Sequence, residues 1–298
     1  MRRILWVLMG FCAWPAWSAE RLPVVASFSI LGDISAQLGG DRVDVQTLVG
    51  PNQDAHVYQP APQDLKKLAA AKLFVVNGLG FEGWMTRMSK AAGYRGQTVQ
   101  ASQGVKALSA QDEDAHDHDH GHGKQDPHAW QNPQNVLIYA KNISDAFIRL
   151  DPEGKAYYTQ RFSAYSQSLK NLDHWAAQGF AAIPAAQRKF ITSHDAFGYL
   201  GARYQIKVLS PQGISTEAEA SAKGVVSLVR QIRREKIRSV FIENMTDSRL
   251  IAQIARESGA SMGEKLYSDA LSKSDAPAAT YVDMMRHNIS AILQSMKE

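Results

Sequence analysis

Five side chains of metal-binding types follow predicted strands or stand in a rigid turn. His56 follows VDVQTLV, His194 follows KFITS, Glu243 lies within SVFIEN, and Asp269 follows KLYS. His128 stands in the turn DPHAW, whose proline restricts the backbone. Three imidazoles with one carboxylate suit zinc, which favours four-coordinate sites of nitrogen and oxygen ligands. Their wide separation along the chain leaves open whether they converge.

Each of these residues also has a more ordinary interpretation. A single histidine after a strand is commonly a loop or capping residue, which applies to His56 and His194 taken alone. Asp269 could serve a turn or a helix cap. Glu243 could cap a helix, pair with Arg249, or support a metal ligand from behind. Spacing alone does not choose between these interpretations.

A different kind of metal-binding sequence precedes His128. Residues 111–126 are acidic and histidine-rich, and their histidines alternate with aspartate and glycine, so no helix or strand face can bury them together. We expect a solvated, mobile loop that binds additional zinc weakly and speeds its acquisition. Its histidines are His116, His118, His120 and His122.

The elements that must position these residues alternate between buried strands and helices. Predicted strands cover residues 22–28, 43–49, 73–77, 98–99, 189–193, 207–209, 239–243 and 265–267. Predicted helices cover residues 30–38, 62–71, 83–92, 132–150, 152–182, 195–204, 216–235, 248–258 and 280–296. This alternation is typical of helix-covered parallel sheets, in which ligands bind beyond the carboxyl ends of the strands.

Two α/β lobes therefore form the predicted architecture. The first lobe covers residues 20–150 and includes the loop at 111–126. A long connecting helix covers residues 151–183, and the second lobe covers residues 184–298. The cleft between the loop edges of the lobes is the expected binding site.

The amino terminus and the composition limit the class of protein. Residues 1–19 have two arginines, an apolar run and small residues near the end, as in a secretory signal peptide. Cys12 is the only cysteine, and Phe11 before it is too large for lipoprotein-type processing, so we expect a soluble periplasmic protein without disulfides. Removing Arg2 and Arg3 changes the net charge from +4 to +2 (4 − 2). Without a basic block, no nucleic-acid partner is expected.

The order of several segments adds a family resemblance. GPNQDAHVYQPAPQD, DPHAWQNP, ITSHDAFGYLGARY, SVFIEN and LYSDALS together resemble the zinc- and manganese-binding solute-binding proteins of metal ABC transporters. The resemblance covers almost the entire chain after residue 19. It implies two lobes bridged by one long helix, with a metal site in the interlobe cleft. The implied metal ligands are His56, His128, His194 and Asp269.

The third ligand position bears on the choice of metal. The resemblance implies a carboxylate there in manganese carriers, whereas this chain has His194. Imidazole suits zinc and oxygen ligands suit manganese, so Zn²⁺ is the expected metal, with copper and nickel competing on affinity. Asp195 and Glu243 are the candidate supporting carboxylates. The family's Glu-Pro-Ser segment appears here as 219–221 with alanine in place of proline. This departure predicts a local change at the start of the following helix and no loss of binding.

The expected function is capture of zinc outside the cytoplasm and its delivery to an ABC-type membrane permease by a monomeric protein. A periplasmic zinc metallochaperone is a further candidate partner. Two rival functions are a secreted zinc hydrolase and a periplasmic metal buffer acting through the histidine-rich loop. The hydrolase would need an open coordination position, and the chain contains no HExxH sequence. We therefore expect no enzymatic activity.

Overall fold

The first lobe is a parallel sheet covered by helices. The computed structural model describes residues 20–109 and 125–297. The strands of this lobe are β1 (Leu22–Phe28), β2 (Val43–Val49), β3 (Leu73–Val76) and β4 (Gln97–Gln100). They are parallel, in the order β2-β1-β3-β4. The helices are α1 (Ser29–Gly39), α2 (Pro62–Ala70), α3 (Met85–Ala91) and α4 (Pro133–Leu150).

Local sequence explains where these elements begin. Strand β1 is buried on both faces from Val24 onward, as expected of a central strand between helical layers. Helix α2 begins at Pro62, where a missing N–H costs nothing. Asp64 reaches back to accept the backbone N–H of Ala61 at 3.0 Å. The start of α2 therefore fixes the carboxyl-terminal end of the loop that carries His56.

The second lobe repeats the same strand order with shorter strands. These are β5 (Lys189–Ile191), β6 (Lys207–Leu209), β7 (Ser239–Val240) and β8 (Ser261–Met262). They are parallel, in the order β6-β5-β7-β8. The helices are α6 (Gly198–Tyr204), α7 (Ala222–Glu235), α8 (Ser248–Ser258) and α9 (Tyr281–Lys297). Strands β1 and β5 thus hold equivalent places in their sheets.

Two element predictions for this lobe are wrong. The expected strand at residues 265–267 makes only one bridge, between Leu266 and Glu243, while β8 forms the edge strand earlier in the chain. The helix expected from residue 216 begins at residue 222, because Ser221 caps it by accepting the backbone N–H of Gly224 at 3.0 Å. Thr216 instead contacts the first lobe.

Helix α5 (Lys155–Ala181) joins the lobes. Its 27 residues extend for about 40 Å at the rise of an α-helix. Asp173 on this helix accepts from Gln134 of α4 at 2.7 Å and from Arg203 of α6 at 2.8 and 2.6 Å. One carboxylate therefore ties the connecting helix to both lobes.

The main hydrophobic core continues from the first lobe into the second. It includes Phe28 and Trp130 from the first lobe and Phe190 and Phe241 from the second. A smaller core lies between the second sheet and helices α7 and α8; its members include Val225, Leu228, Ile232, Ile251 and Ile254. The lobes therefore share packed apolar side chains below the cleft, while the α7–α8 layer packs separately.

Candidate metal centre

The four residues that the resemblance implies as metal ligands converge in the cleft between the lobes. His56 follows β2, and His128 stands just before α4, so the first lobe contributes two imidazoles. His194 and Asp269 come from the second lobe, His194 three residues after the end of β5. One ligand atom from each residue lies within 4.8 Å of the other three. The fold thus joins two pairs of residues from opposite lobes.

The distances between these atoms fit a small tetrahedral ion. His56 Nε2 lies 3.3 Å from His128 Nε2 and 3.2 Å from Asp269 Oδ2. His194 Nε2 lies 3.1 Å from the same oxygen, and His128 Nε2 lies 3.7 Å from Asp269 Oδ1. A tetrahedron with zinc–nitrogen bonds of 2.0–2.1 Å has edges of about 3.3 Å. Three of these four distances are therefore close to the edge length of a tetrahedral zinc site.

Burial makes this arrangement costly without a cation. The side chains of His128, His194 and Asp269 are fully buried, and that of His56 is 6% exposed. Asp269 Oδ2 faces His56 Nε2 at 3.2 Å and His194 Nε2 at 3.1 Å. Burial of a carboxylate is unfavourable without a charged or hydrogen-bonding partner, so this position favours a positive charge beside Asp269.

The neighbouring imidazoles supply positive charge to Asp269. Burial alone would raise the pKa of Asp269, but His194 and His128 outweigh it and hold that pKa well below its ordinary value. Burial alone would lower the pKa of His194, but the carboxylates of Glu243 and Asp269 raise it well above its ordinary value. A metal ion entering the cluster would therefore displace a proton.

Two carboxylates contact imidazoles of the cluster at Nδ1, the ring nitrogen opposite the cluster. Asp126 Oδ1 lies 2.8 Å from His128 Nδ1 and also accepts the backbone N–H of His128 at 2.9 Å. Glu243 Oε2 lies 2.6 Å from His194 Nδ1. A carboxylate on Nδ1 favours a proton there and leaves Nε2, which faces the centre of the cluster, free to bind a metal.

Glu243 accepts several hydrogen bonds, and the interpretation that pairs it with Arg249 is wrong. Glu243 accepts from Thr192 Oγ1 at 2.6 Å, from the backbone N–H of His194 at 2.9 Å and from Ser268 Oγ. Ser268 precedes Asp269, so this one side chain joins the loops of two cluster residues. Arg249 pairs with Asp247 instead, at 2.7 Å.

Sequence reasoning missed Asp126. Composition assigns this residue to the solvated loop at 111–126, but it is 4% exposed and holds His128. The available signal was an aspartate two residues before a candidate ligand histidine, separated from it by a proline. Asp195, the other candidate supporting carboxylate, lies outside the cluster of four, and its backbone N–H donates to the carbonyl of Gly213 at 3.2 Å.

Aromatic rings form the wall of the cluster on the side of the first lobe. The ring of Phe81 lies 4.8 Å from that of His56, and the ring of Trp130 lies 5.3 Å from that of His128. Trp130 Nε1 also donates to the carbonyl of Ser268 at 2.8 Å. Trp130 therefore packs beside the site and joins the lobes through one hydrogen bond.

The four histidines of the predicted loop, at positions 116, 118, 120 and 122, lie outside the described residues, as does the predicted signal peptide. The two ends of the loop are described. Ser109 and Gln125 form an antiparallel bridge, and Asp126 N–H donates to the carbonyl of Leu108 at 2.9 Å. Tyr199 OH donates to the carbonyl of Asp126 at 3.0 Å. Leu108 and Ser109, which precede the histidine-rich segment, thus lie beside Gln125 and Asp126 at its end.

Comparison with known proteins agrees with this geometry. The family model described as "Zinc-uptake complex component A periplasmic" (ZnuA) matches residues 24–295. The chain belongs to this family. The assignment confirms the resemblance drawn from the ordered segments, including the two-lobed fold with an interlobe site.

Relatives of the chain carry names for different metals. The manganese ABC transporter substrate-binding lipoprotein PsaA of Streptococcus pneumoniae is 32% identical over 287 residues, covering 94% of this chain and 91% of PsaA. The periplasmic zinc binding protein TroA of Treponema pallidum has a TM-score of 0.86 at 27% identity, covering 93% of this chain and 99% of TroA. A Mn-bound periplasmic metal binding protein of Candidatus Liberibacter asiaticus has a TM-score of 0.83 at 29% identity, covering 93% of this chain and 100% of that protein.

Family membership makes this chain a metal-binding, substrate-binding component of an ABC transporter and not an enzyme, as predicted. Within residues 20–109 and 125–297, no helix is long and apolar enough to cross a membrane. The family description is periplasmic, while several relatives are named lipoproteins.

Proposed function

We propose that this protein captures Zn²⁺ outside the cytoplasm and delivers it to an ABC-type permease, with His56, His128, His194 and Asp269 as the metal ligands. The observation that carries the proposal is the convergence of one nitrogen from each of three imidazoles and one carboxylate oxygen within 4.8 Å of one another. The lobes contribute two ligands each, so movement of one lobe relative to the other can loosen the site.

The donor set favours zinc over manganese. Three nitrogen donors and one oxygen donor suit zinc, whereas manganese prefers sites richer in oxygen. His194 is the deciding donor, since a carboxylate at that position would give the site two oxygen donors. The names of the relatives include both metals, so the donor chemistry of this chain decides the choice.

The surrounding charges suit a doubly charged ion. Neutral imidazoles and one ionised Asp269 leave a formal charge of +1 on bound zinc. Glu243 and Asp126 lie directly behind two of the imidazoles and offset that charge through them. Four protein ligands also fill the tetrahedral shell, so no position remains for the activated water of a zinc hydrolase.

The test is zinc binding by the mature protein from which residues 111–124 have been removed. The deletion stops at 124 because Asp126 supports His128. One tightly bound zinc per chain, measured by elemental analysis and chelator competition, is the expected result. No tight zinc would refute the proposal and move the function to the histidine-rich loop, as in the metal buffer.

Substitution of a single histidine separates the cluster from other imidazoles. We expect His56→Ala in the deleted protein to lose tight zinc, because it removes one of four ligands. His174→Ala is the matched control, since His174 is exposed on α5, and it should bind as the parent does. Equal loss in both variants would contradict the assignment of the site.

Delivery and location need a cellular test. A strain without this protein should grow poorly under zinc limitation, and a soluble periplasmic form should restore growth. A metal buffer would matter instead in zinc excess. Recovery of the mature protein in the membrane fraction would contradict the soluble form and agree with the lipoprotein relatives.

A further inference from the structure

Asp54 contacts both lobes. Its Oδ1 accepts the backbone N–H of His56 at 2.9 Å, and its Oδ2 accepts the hydroxyl of Thr216 at 2.7 Å. Asp54 lies in the loop between β2 and α2 of the first lobe, and Thr216 lies between β6 and α7 of the second. One carboxylate therefore joins the backbone of a cluster histidine to the opposite lobe.

Two more hydrogen bonds cross between the lobes in the same loop. Asn244 Nδ2 donates to Asn52 Oδ1 at 2.9 Å, and Asn52 N–H donates to the carbonyl of Leu271 at 2.9 Å. Leu271 lies two residues after Asp269. Asn52 has a φ of 57°, a left-handed conformation that asparagine adopts more readily than most residues. The hydrogen bonds Thr216–Asp54, Asn244–Asn52 and Asn52–Leu271 are together named the interlobe clasp.

The clasp lies on the more open side of the cluster. His56 is its most exposed member, with 6% of its side chain accessible, while the other three are fully buried. Asn52 is exposed, and Asp54 and Thr216 are half-buried. Below the cleft, by contrast, the lobes share a packed apolar core. Separation of the lobes at this edge must therefore break hydrogen bonds rather than a hydrophobic interface.

We propose that the interlobe clasp sets the rate at which the metal leaves the site, with Asp54 as the positioning residue that couples lobe separation to His56. The inference rests on the proposed function, because it takes His56 as a ligand. When Thr216 is held, Asp54 keeps the His56 backbone in place. When the second lobe moves away, the loop is released together with its imidazole.

The first test is the rate of zinc release into excess chelator, measured by stopped flow for Thr216→Val and Thr216→Ser. Valine removes the hydroxyl and keeps the branched shape, so we expect release to become about three- to tenfold faster, as the loss of one hydrogen bond implies. Serine keeps the donor and should release zinc at the wild-type rate. A wild-type rate for Thr216→Val would overturn the proposal.

Thr280→Val is the matched control. Thr280 Oγ1 donates to Asp283 Oδ2, also at 2.7 Å, but this pair caps helix α9 rather than joining the lobes. We expect a lower unfolding midpoint and an unchanged release rate. Equal acceleration in Thr280→Val and Thr216→Val would show a general stability effect and refute the clasp.

A double-mutant cycle tests the route through Asp54. Asp54→Ala should release zinc at least as fast as Thr216→Val, and adding Thr216→Val to Asp54→Ala should give no further acceleration. Additive effects would overturn the assigned role of Asp54. If the wild-type protein binds no tight zinc, the proposed function itself fails; if it binds zinc and only these rate differences are missing, the clasp alone fails.

Discussion

Glu82 in the first lobe and Glu243 in the second are both buried behind the carboxyl ends of their strands, and only Glu243 faces an imidazole. Glu82 follows β3 and accepts from Ser27 Oγ on β1 at 2.6 Å. Glu243 follows β7 and accepts from Thr192 Oγ1, just after β5, also at 2.6 Å. Because β1 and β5 hold equivalent places, as do β3 and β7, the two lobes contain the same carboxylate–hydroxyl contact.

The two lobes differ at the position two residues after the one that donates this hydroxyl hydrogen bond. In the first lobe this position is Ser29, whose Oγ accepts the backbone N–H of Leu271 at 3.0 Å. In the second lobe it is His194, which meets Glu243. Burial raises the pKa of Glu82, whereas His194 outweighs the effect of burial and lowers the pKa of Glu243. One imidazole thus converts a structural carboxylate into the support of a metal-binding cluster.

Replacement of His194 should give the largest effect. His194→Ala removes a proposed ligand and leaves Glu243 buried without a cation, which costs about 3–5 kcal/mol of stability. Zinc affinity should fall by more than the roughly 10–100-fold loss typical of a supporting residue. Ser29→Ala, at the equivalent position, should cost about 1 kcal/mol for one hydrogen bond and leave affinity nearly unchanged. Urea unfolding and chelator competition measure both quantities.

The double variant His194→Ala/Glu243→Gln tests whether the loss of zinc affinity results only from misfolding. The neutral amide removes the unpaired charge, so the fold should recover while zinc affinity stays low. Tight zinc binding by this folded double variant would contradict the role that the comparison of the lobes gives to His194.

Separate replacement of each glutamate by glutamine should give an effect on zinc affinity of intermediate size. Glu243→Gln removes the negative charge behind His194, and we expect zinc affinity to fall about 10–100-fold. Glu82→Gln changes a carboxylate of the same kind that is hydrogen-bonded to the backbone of Asn77 and Gly78. Its zinc affinity should stay close to that of the wild type. Similar losses in both variants, measured by chelator competition, would mean that the imidazole contact has no special role.

The pH dependence of stability should give the smallest effect. The raised pKa of Glu82 means that the folded state holds this proton more tightly than the unfolded state. Its contribution is therefore complete below the ordinary glutamate value and is lost as pH rises through the folded value. The free energy of unfolding of zinc-free Glu82→Gln, relative to wild type, should increase as pH rises above that ordinary value. Glu217→Gln, at an exposed position, is the control.

A pH-independent difference between wild type and Glu82→Gln would contradict the raised pKa. That result would also indicate that a cation compensates the charge of Glu82, as His194 compensates that of Glu243. The two lobes would then be more alike than their contacts indicate.

Strong local patterns made much of the fold predictable. The bounds of β1, β2, β6 and α8 agree with the predicted elements, because apolar runs and capping residues determine them locally. The second lobe was harder, since its strands are only two or three residues long. The pairing of Ser261 and Met262 with β7 depends on tertiary contacts and leaves little periodic signal.

By itself, the sequence determined which residues have metal-binding chemistry and, through the alternation of strands and helices, the edge of each lobe where they lie. Only the tertiary structure decided that His56, His128, His194 and Asp269 meet, that Asp126 leaves the acidic loop to hold His128, and that Thr216 reaches Asp54. The physical reason is that strand and helix patterns report interactions between near neighbours. The cluster and the clasp are built from contacts between lobes, whose partners are far apart in the chain.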